Sequence, residues 1–141
     1  MKRLMYAAML LLGMSIFCSC NKEGGSTGGS SWIVGDWVFV ENSSSKEWID
    51  TYVNFSNDGF MTVYGLTPLD NCAKLENGNL ITPSTETWAK MGVIQYTLKG
   101  DNLHFVATAD RIEKKDKDTF VLTGDSDFAG TYYRIKSMKT K

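Results

Sequence analysis

The chain has 141 residues, a formal net charge of −1, 43% hydrophobic residues and 22% charged residues. This length suffices for one domain and is too short for two of ordinary size. Because acidic and basic residues nearly balance, the composition offers no basic field of the kind that binds nucleic acid, and we expect no nucleic-acid partner.

Residues 1–19 have the pattern of an export signal. Lys2 and Arg3 precede an apolar run over 4–17. A membrane-spanning helix needs about 20 apolar residues, whereas a signal peptide combines a basic start with a shorter apolar run. We therefore predict a signal peptide over 1–19. The alternative is a buried N-terminal helix, which the apolarity of the run on every face and the flexible sequence after it both disfavour.

The apolar run ends in Phe17-Cys18-Ser19-Cys20. A disulfide between the two cysteines would close a strained ring, and a metal site would need further ligands nearby. The stretch resembles the lipobox of bacterial lipoproteins, in which a small residue precedes a cysteine that is lipidated after cleavage. Ser19 fits that pattern, whereas Phe17 departs from the usual leucine. The resemblance implies that Cys20 carries the lipid and that a membrane is its partner.

Residues 20–31 join this cysteine to the first predicted strand and are rich in glycine and serine. Such chains are flexible, and about ten residues reach roughly 15–20 Å. Asn21 resembles an outer-membrane sorting signal, and Lys22-Glu23 resembles the surface-export signals of Bacteroidetes lipoproteins. We expect a tether over 20–31 and a lipid-anchored protein of the bacterial cell envelope, held at the outer membrane.

The rest of the chain shows the two-residue alternation of β-strands. Asp58-Gly59 and the sequence Gly-Asp-Asn over 100–102 are strong hairpin turns. Short β-branched and aromatic runs at this spacing are typical of an all-β sandwich or barrel. The predicted strands cover 35–41, 48–55, 59–65, 93–98, 103–109, 111–115, 119–124 and 131–136.

One long interruption, 66–91, separates these runs and contains both prolines. We predict a loop with one short strand near 79–82 and a helical turn near 68–75. Loops of this length in compact domains are usually functional or disordered. Cys72 lies within it, either as a small apolar filler or as a reactive thiol.

Gly35-Asp36-Trp37 opens the first predicted strand, and Arg134 lies in the last. This order resembles the lipocalins and related calycin barrels, where a Gly-x-Trp opens the first strand and an arginine of the last strand packs across the indole. The resemblance implies a lipocalin-like, antiparallel up-and-down β-barrel of about eight strands over 32–136, closed by the pair Trp37 and Arg134, with a flexible tail over 137–141. One conflict remains. If the Arg134 side chain points inward, Tyr133 and Ile135 point outward, although apolarity alone would place those two side chains inside.

Bulky side chains predominate on the predicted inner face. They either fill the core or line a modest apolar pocket beneath the 66–91 segment. The candidate lining residues are Phe39, Phe55, Phe60, Tyr96, Phe105 and Phe120.

Motifs for catalysis are missing from the sequence. His104 is the single histidine and no base–acid pattern surrounds it, so we predict no enzyme, no catalytic residue, no metal site and no cofactor. Two hypotheses remain: a barrel that binds a small apolar or amphipathic ligand, or a filled barrel that contacts another envelope protein or a glycan. Trp48, Tyr52 and Trp88 are the candidate surface residues for the second.

Overall fold

The computed structural model describes residues 32–41 and 45–141, and these form strands, turns and connecting segments without a helix. Accordingly, this part of the chain contains no helix with the length and apolarity needed to cross a membrane. The predicted signal peptide, the lipidated Cys20 and the tether lie outside the described residues. The strands are β1 (Gly35–Val40), β2 (Thr51–Phe55), β3 (Phe60–Thr67), β4 (Lys74–Glu76), β5 (Asn79–Thr82), β6 (Thr87–Gln95), β7 (Thr97–Lys99), β8 (Asn102–His104), β9 (Ala109–Asp116), β10 (Thr119–Thr123), β11 (Gly130–Arg134) and β12 (Ser137–Thr140).

Nine strands form one antiparallel sheet that curls into a half-barrel, in the order β6-β3-β2-β1-β11-β10-β9-β8-β7. β1 to β3 and β7 to β11 pair with their neighbours in sequence, whereas the pairs β3–β6 and β1–β11 join strands that are remote in sequence. Gly59, with φ of 92°, supplies the left-handed residue of the β2–β3 turn. β1 pairs with both β2 and β11. The strands that come first and last in the chain within this sheet, β1 and β11, therefore lie side by side. The two edge strands, β6 and β7, are separated in the chain by Tyr96 alone.

A second, three-stranded sheet has the order β12-β5-β4. β4 and β5 are antiparallel, whereas β12 runs parallel to β5. The main chain of Ile49 exchanges two hydrogen bonds with Ala73, at 2.8 and 2.9 Å, and so attaches the segment before β2 to the β4 side of this sheet. We call the sheet β12-β5-β4 the small sheet and the nine-stranded one the main sheet.

The all-β, antiparallel fold class predicted from the sequence is confirmed. The strand count of about eight is wrong, because the main sheet has nine strands and the described residues contain twelve. Two causes account for the difference. The predicted run 93–98 is divided at Tyr96 between β6 and β7, and the small sheet adds three strands.

The 66–91 segment is not a loop. Its predicted short strand corresponds to β5, but β4 and most of β6 also lie within it, and the predicted helical turn near 68–75 is absent from the described residues. Residues 137–140, predicted to be a flexible tail, form β12. The predicted strand 103–109 ends at His104, after which the main chain turns with a Phe105 N–H to Thr108 carbonyl bond of 2.8 Å.

Two apolar clusters lie on opposite faces of the main sheet. The inner cluster fills the concave face and contains Trp37, Phe120 and Tyr132 among its sixteen buried residues. The outer cluster lies between the convex face and the small sheet, with Val38 and Ile135 among its nine. The conflict on β11 is thereby resolved: Tyr132 is inward and fully buried, while Ile135 is outward and only 8% exposed because the small sheet covers it.

Candidate functional site

The residues predicted to line an internal pocket pack against one another and against further aromatic side chains of the interior. Phe55 contacts Tyr96 edge-on with ring centroids 5.0 Å apart, and Phe120 stacks on Tyr132 at 4.6 Å. Phe39 lies 5.2 Å from Tyr132 by the same measure. Five of the six belong to the inner cluster and are at most 8% exposed: Phe39, Phe55, Tyr96, Phe105 and Phe120.

Phe60 is the exception to this set. It is half-buried and alternates along β3 with Met61 and Val63, which belong to the inner cluster. Because successive side chains of a strand point to opposite faces, Phe60 lies on the convex face of the nine-stranded sheet, and its prediction as an inward residue is wrong. The Asp58-Gly59 turn just before it shifts the alternation by one residue relative to the pattern expected from sequence.

Tyr96 combines burial with a polar contact at the junction of β6 and β7. Its hydroxyl donates to the Ser56 carbonyl at 2.7 Å, and its main-chain N–H donates to the Gly59 carbonyl at 2.9 Å. Burial first, and the Asp58 carboxylate second, raise the pKa of Tyr96 from 10.0 to about 12. The phenol is therefore a neutral hydrogen-bond donor that fixes the strand junction to the β2–β3 turn.

Trp37 and Arg134 are register partners on β1 and β11, and the structure brings their side chains together. The guanidinium carbon lies 4.2 Å from the centroid of the Trp37 ring, which is fully buried. Arg134 also donates to the Trp32 carbonyl at 2.6 Å and to the Val34 carbonyl at 3.2 Å. The pair joins β1 to β11 at the inner cluster, and its contacts are to main-chain carbonyls and a buried ring, which is a structural role.

Two buried carboxylates that sequence reasoning missed also serve the structure. Asp110 is fully buried and accepts hydrogen bonds from the hydroxyl and the main-chain N–H of Ser126. Glu86 is 4% exposed and accepts from the main-chain N–H groups of Leu69 and Asp70, at 2.6 and 3.2 Å. Each holds a loop that lies sixteen or seventeen residues away, and no local sequence signal identifies such pairs.

The described residues contain no cluster of side chains that could hold a metal ion. Among these residues, no three His, Cys, Asp or Glu side chains lie close enough to hold a metal ion. His104 lies on β8 and is half-buried. The Ser126 hydroxyl is occupied by Asp110 and by the main-chain N–H of Phe128, at 3.1 Å for the latter.

The three aromatic residues predicted at the surface differ in their burial. Tyr52 is 8% exposed and stacks on Tyr64 at 4.6 Å, so its prediction as a surface residue is wrong. The small sheet covers this face, and burial raises the pKa of the Tyr52 hydroxyl to about 12, with smaller effects of Tyr64 and Asp36. Trp88 is half-buried and donates through its indole N–H to the Thr82 hydroxyl at 2.8 Å. Trp48 is 67% exposed.

A groove of about 310 Å³ lies on the outer side of the small sheet. Ile81, Pro83 and Cys72 give it an apolar floor. The polar residues around them are Asn71, Lys74, Ser84, Thr85 and Lys141.

Trp48 is not among the residues that line this groove, but its main chain runs near one of them. The antiparallel bridge between Ile49 and Ala73 brings the main chain at Trp48 close to that of Lys74, which lines the groove and is paired with Ile81. An exposed indole and an apolar depression therefore share one face of the molecule. We call this face, comprising Trp48 and the groove, the outer face.

No family model matches the chain, and comparison with curated proteins and with solved structures finds no significant match. The geometry of the outer face and the packing of the interior are therefore the observations on which a function can be argued.

Proposed function

We propose that this chain is a lipid-anchored lipoprotein of the bacterial envelope whose β domain is a non-enzymatic interaction module. The observation that carries the proposal is the contrast between interior and surface. The inner cluster is filled by its own aromatic side chains, whereas the largely exposed Trp48 and an adjoining groove lie outside. Aromatic residues beside well-formed depressions are the usual centres of binding energy at protein interfaces.

We propose that the main sheet closes into a lipocalin-like barrel. β6 pairs with β3, β7 pairs with β8, and Tyr96 alone separates β6 from β7. Because these two edge strands are consecutive in the chain, they would join the two edges of the main sheet into a ring. Such a closure removes the exposed edges that invite aggregation.

The anchor is proposed from the sequence: a signal peptide over 1–19, lipidation at Cys20 and a tether over 20–31. The described chain begins at Trp32, whose carbonyl accepts from Arg134 and whose ring lies 5.6 Å from Phe120. A tether joined there would hold the Arg134 end of the domain nearest the outer membrane. Replacing Cys20 with Ser is expected to release the protein from the membrane fraction, and a Cys20→Ser protein that still sediments with membranes would contradict the anchor.

The alternative function, binding of a small apolar ligand inside the domain, would require the inner rings to move apart. Aromatic pairs at these separations each contribute about 0.5–1.5 kcal/mol beyond simple burial, and several of them would be lost together. The interaction module needs no such rearrangement.

The test is affinity capture of the full chain from detergent-solubilised envelopes of its own host, followed by native mass spectrometry. The wild type is compared with Trp48→Ala and with Met91→Ala, which truncates another exposed apolar side chain. We expect a stoichiometric macromolecular partner, a protein or a glycan, that Trp48→Ala loses and Met91→Ala keeps. Recovery of one tightly held apolar small molecule, or of a partner indifferent to Trp48→Ala, would contradict the proposal.

A further inference from the structure

The small sheet has one uncovered edge, which runs along β12. Its opposite edge, β4, is covered, because the Leu75 N–H donates to the Lys46 carbonyl at 2.9 Å and Ala73 exchanges main-chain bonds with Ile49. Within the described chain β12 pairs only with β5, and all four of its residues are exposed. Because an exposed edge strand offers unpaired main-chain groups to a further strand, β12 is where the small sheet can be extended.

The main-chain groups that β12 offers belong to Met138 and Thr140. Ser137 and Lys141 donate their main-chain N–H groups to carbonyls on the β5 side, at 3.3 and 2.8 Å. Because these groups alternate in direction along a strand, the N–H and C=O groups of Met138 and Thr140 point away from β5, and no hydrogen bond from the described chain reaches them. The outward donors and acceptors are fixed from both ends of the strand, which reduces the entropy lost on binding.

The two faces of β12 differ in chemistry. In the parallel register, Lys139 lies beside Ile81 and Met138 lies beside Leu80, which belongs to the outer cluster. Successive side chains point to opposite faces, so the lysine stands on the solvent side of the small sheet and the methionine on the side of that cluster. Met138 is 43% exposed, and no strand of the described chain lies beyond it. An added strand would meet a cation on one face and an uncovered apolar side chain on the other.

The charge around this edge has one sign. Residues 128–141 contain no acidic residue and four basic ones: Arg134, Lys136, Lys139 and Lys141. The first two already pair with Asp118, at 3.4 and 3.2 Å, whereas Lys139 and Lys141 make no ion pair within the described chain. A main-chain carboxylate at Lys141 would offset one of these charges and leave the edge basic. Lysines on an edge oppose pairing with a second copy, which carries the same charge, but they attract a strand with carboxylates opposite them.

We propose that β12 is the docking edge for an extended segment of a partner protein in which acidic and apolar residues alternate. The segment would join the small sheet as a fourth strand, in the mode where main-chain bonds give affinity and alternate side chains give specificity. Its carboxylates would face Lys139 and Lys141, and its apolar side chains would cover Met138. The proposal goes beyond the interaction module described above, because it adds a second surface and does not involve Trp48.

The test is fluorescence anisotropy of a labelled peptide of alternating glutamate and valine, titrated with the full chain in detergent. Control peptides replace glutamate by glutamine, or keep the composition but separate glutamate and valine into two blocks. Two further peptides carry N-methyl groups on all glutamates or on all valines. We expect the alternating peptide to bind, less tightly as salt is added, and the glutamine and block peptides not to bind. Only one N-methylated peptide should bind, because an added strand turns every second N–H towards β12.

Variants of the chain locate the binding edge. Thr140→Pro removes an outward donor and should weaken binding about tenfold or more. Lys139→Gln should weaken it about two- to fivefold. Lys99→Gln, which replaces an exposed lysine on the edge strand β7, should leave binding unchanged, and so should Trp48→Ala. Circular dichroism and urea denaturation check that every variant is folded.

The proposal would be overturned if the alternating peptide did not bind, or if the block or glutamine peptide bound equally well. Binding that Lys99→Gln weakens and Thr140→Pro does not would also overturn it, because the added strand would then lie on β7. If no peptide binds but the chain still captures a Trp48-dependent partner from envelopes, the interaction-module function stands and only the β12 edge is wrong. If the peptide binds and no such partner is captured, the β12 edge stands and the function proposed for the outer face fails.

Discussion

Arg134 is the residue whose contacts extend furthest along the chain. Its guanidinium donates to carbonyls of Trp32 and Val34, one hundred or more residues earlier, while lying against the ring of Trp37. The planar fork of arginine serves several acceptors at once, which a lysine ammonium cannot do in the same geometry. Resemblance to a barrel family identified this pair in advance, but the two carbonyl acceptors follow only from the fold.

Arg134→Ala should lower the free energy of unfolding by about 2–4 kcal/mol. The loss combines the cation–π contact with three carbonyls, those of Trp32, Val34 and Lys117, left without their donor. Arg134→Lys should recover only part of it. Urea denaturation measures both, with Lys136→Ala as the control, because Lys136 shares only the partly exposed Asp118 ion pair and should cost about 1 kcal/mol or less. Equal effects at the two positions would contradict this account.

Tyr52 and Tyr96 should make stability decline at alkaline pH. Both have a pKa of about 12 when folded, mainly through burial, compared with 10.0 for the unfolded chain. The folded state therefore retains protons that the unfolded state has lost, so the contribution is complete below about pH 10 and disappears as the pH rises towards about 12. Each tyrosine should lower the free energy of unfolding by up to about 1.4 kcal/mol per pH unit in that window.

Urea denaturation between about pH 8 and about pH 12 tests this, using Tyr96→Phe and the double variant with Tyr52→Phe. Tyr96→Phe also loses the hydrogen bond to Ser56, which costs about 1 kcal/mol at every pH. Only the slope above pH 10 reports ionisation, and it should flatten with each replacement. Variants with the wild-type slope would disprove the assignment.

At the scale of elements, alternation in the sequence predicted most strands of the main sheet but missed β4, β12 and most of β6, the longest strand. β4 and β12 have only three and four residues, too few for a two-residue period to be recognised. The partner of β12 is also remote: Ser137 hydrogen-bonds to Asn79, fifty-eight residues earlier. No glycine or proline marks the break at Tyr96. The sequence therefore predicted one strand where the structure has two.

β12 offers a test on a single strand. Ser137 and Lys141 donate main-chain bonds to Gly78 and Thr82 of the β5 side, so by alternation the Lys139 N–H also faces β5 and the Thr140 N–H faces away. Lys139→Pro should lower the free energy of unfolding by about 1–3 kcal/mol, because proline removes that donor. Thr140→Pro, which removes an outward donor, should cost much less. Thermal denaturation compares the two, and equal losses would mean that β12 does not pair as described.

At the scale of the molecule, the main sheet has an apolar cluster packed on each of its two faces. The fold class could be predicted because each strand alternates on its own. The layering could not, because it depends on the small sheet covering Val38, Tyr52 and Ile135, side chains that sequence reasoning assigned to the solvent face or left unassigned. The largely exposed Trp48 was recognisable as a candidate from sequence, whereas the groove beside it arises only when β4, β5 and the chain after β12 come together.

The two clusters should differ in local stability. The outer cluster has nine buried residues and the inner one sixteen, so the small sheet should open at a lower free energy than the main sheet. Native-state hydrogen exchange in rising urea should show amides of β4, β5 and β12 exchanging by partial opening. Amides of β1, β10 and β11 should exchange only on global unfolding. A single common urea dependence for both groups would contradict this order.

The position of β11 and β12 at the end of the sequence has a consequence for biogenesis. β1 obtains its second neighbour, and β5 its parallel neighbour, only when residues 130–140 are available. As the chain is made from its first residue onward, the faces of β1 and β5 stay uncovered until β11 and β12 follow. These two strands complete both layers, and under the proposed export that interval is when a periplasmic chaperone would bind the uncovered strands.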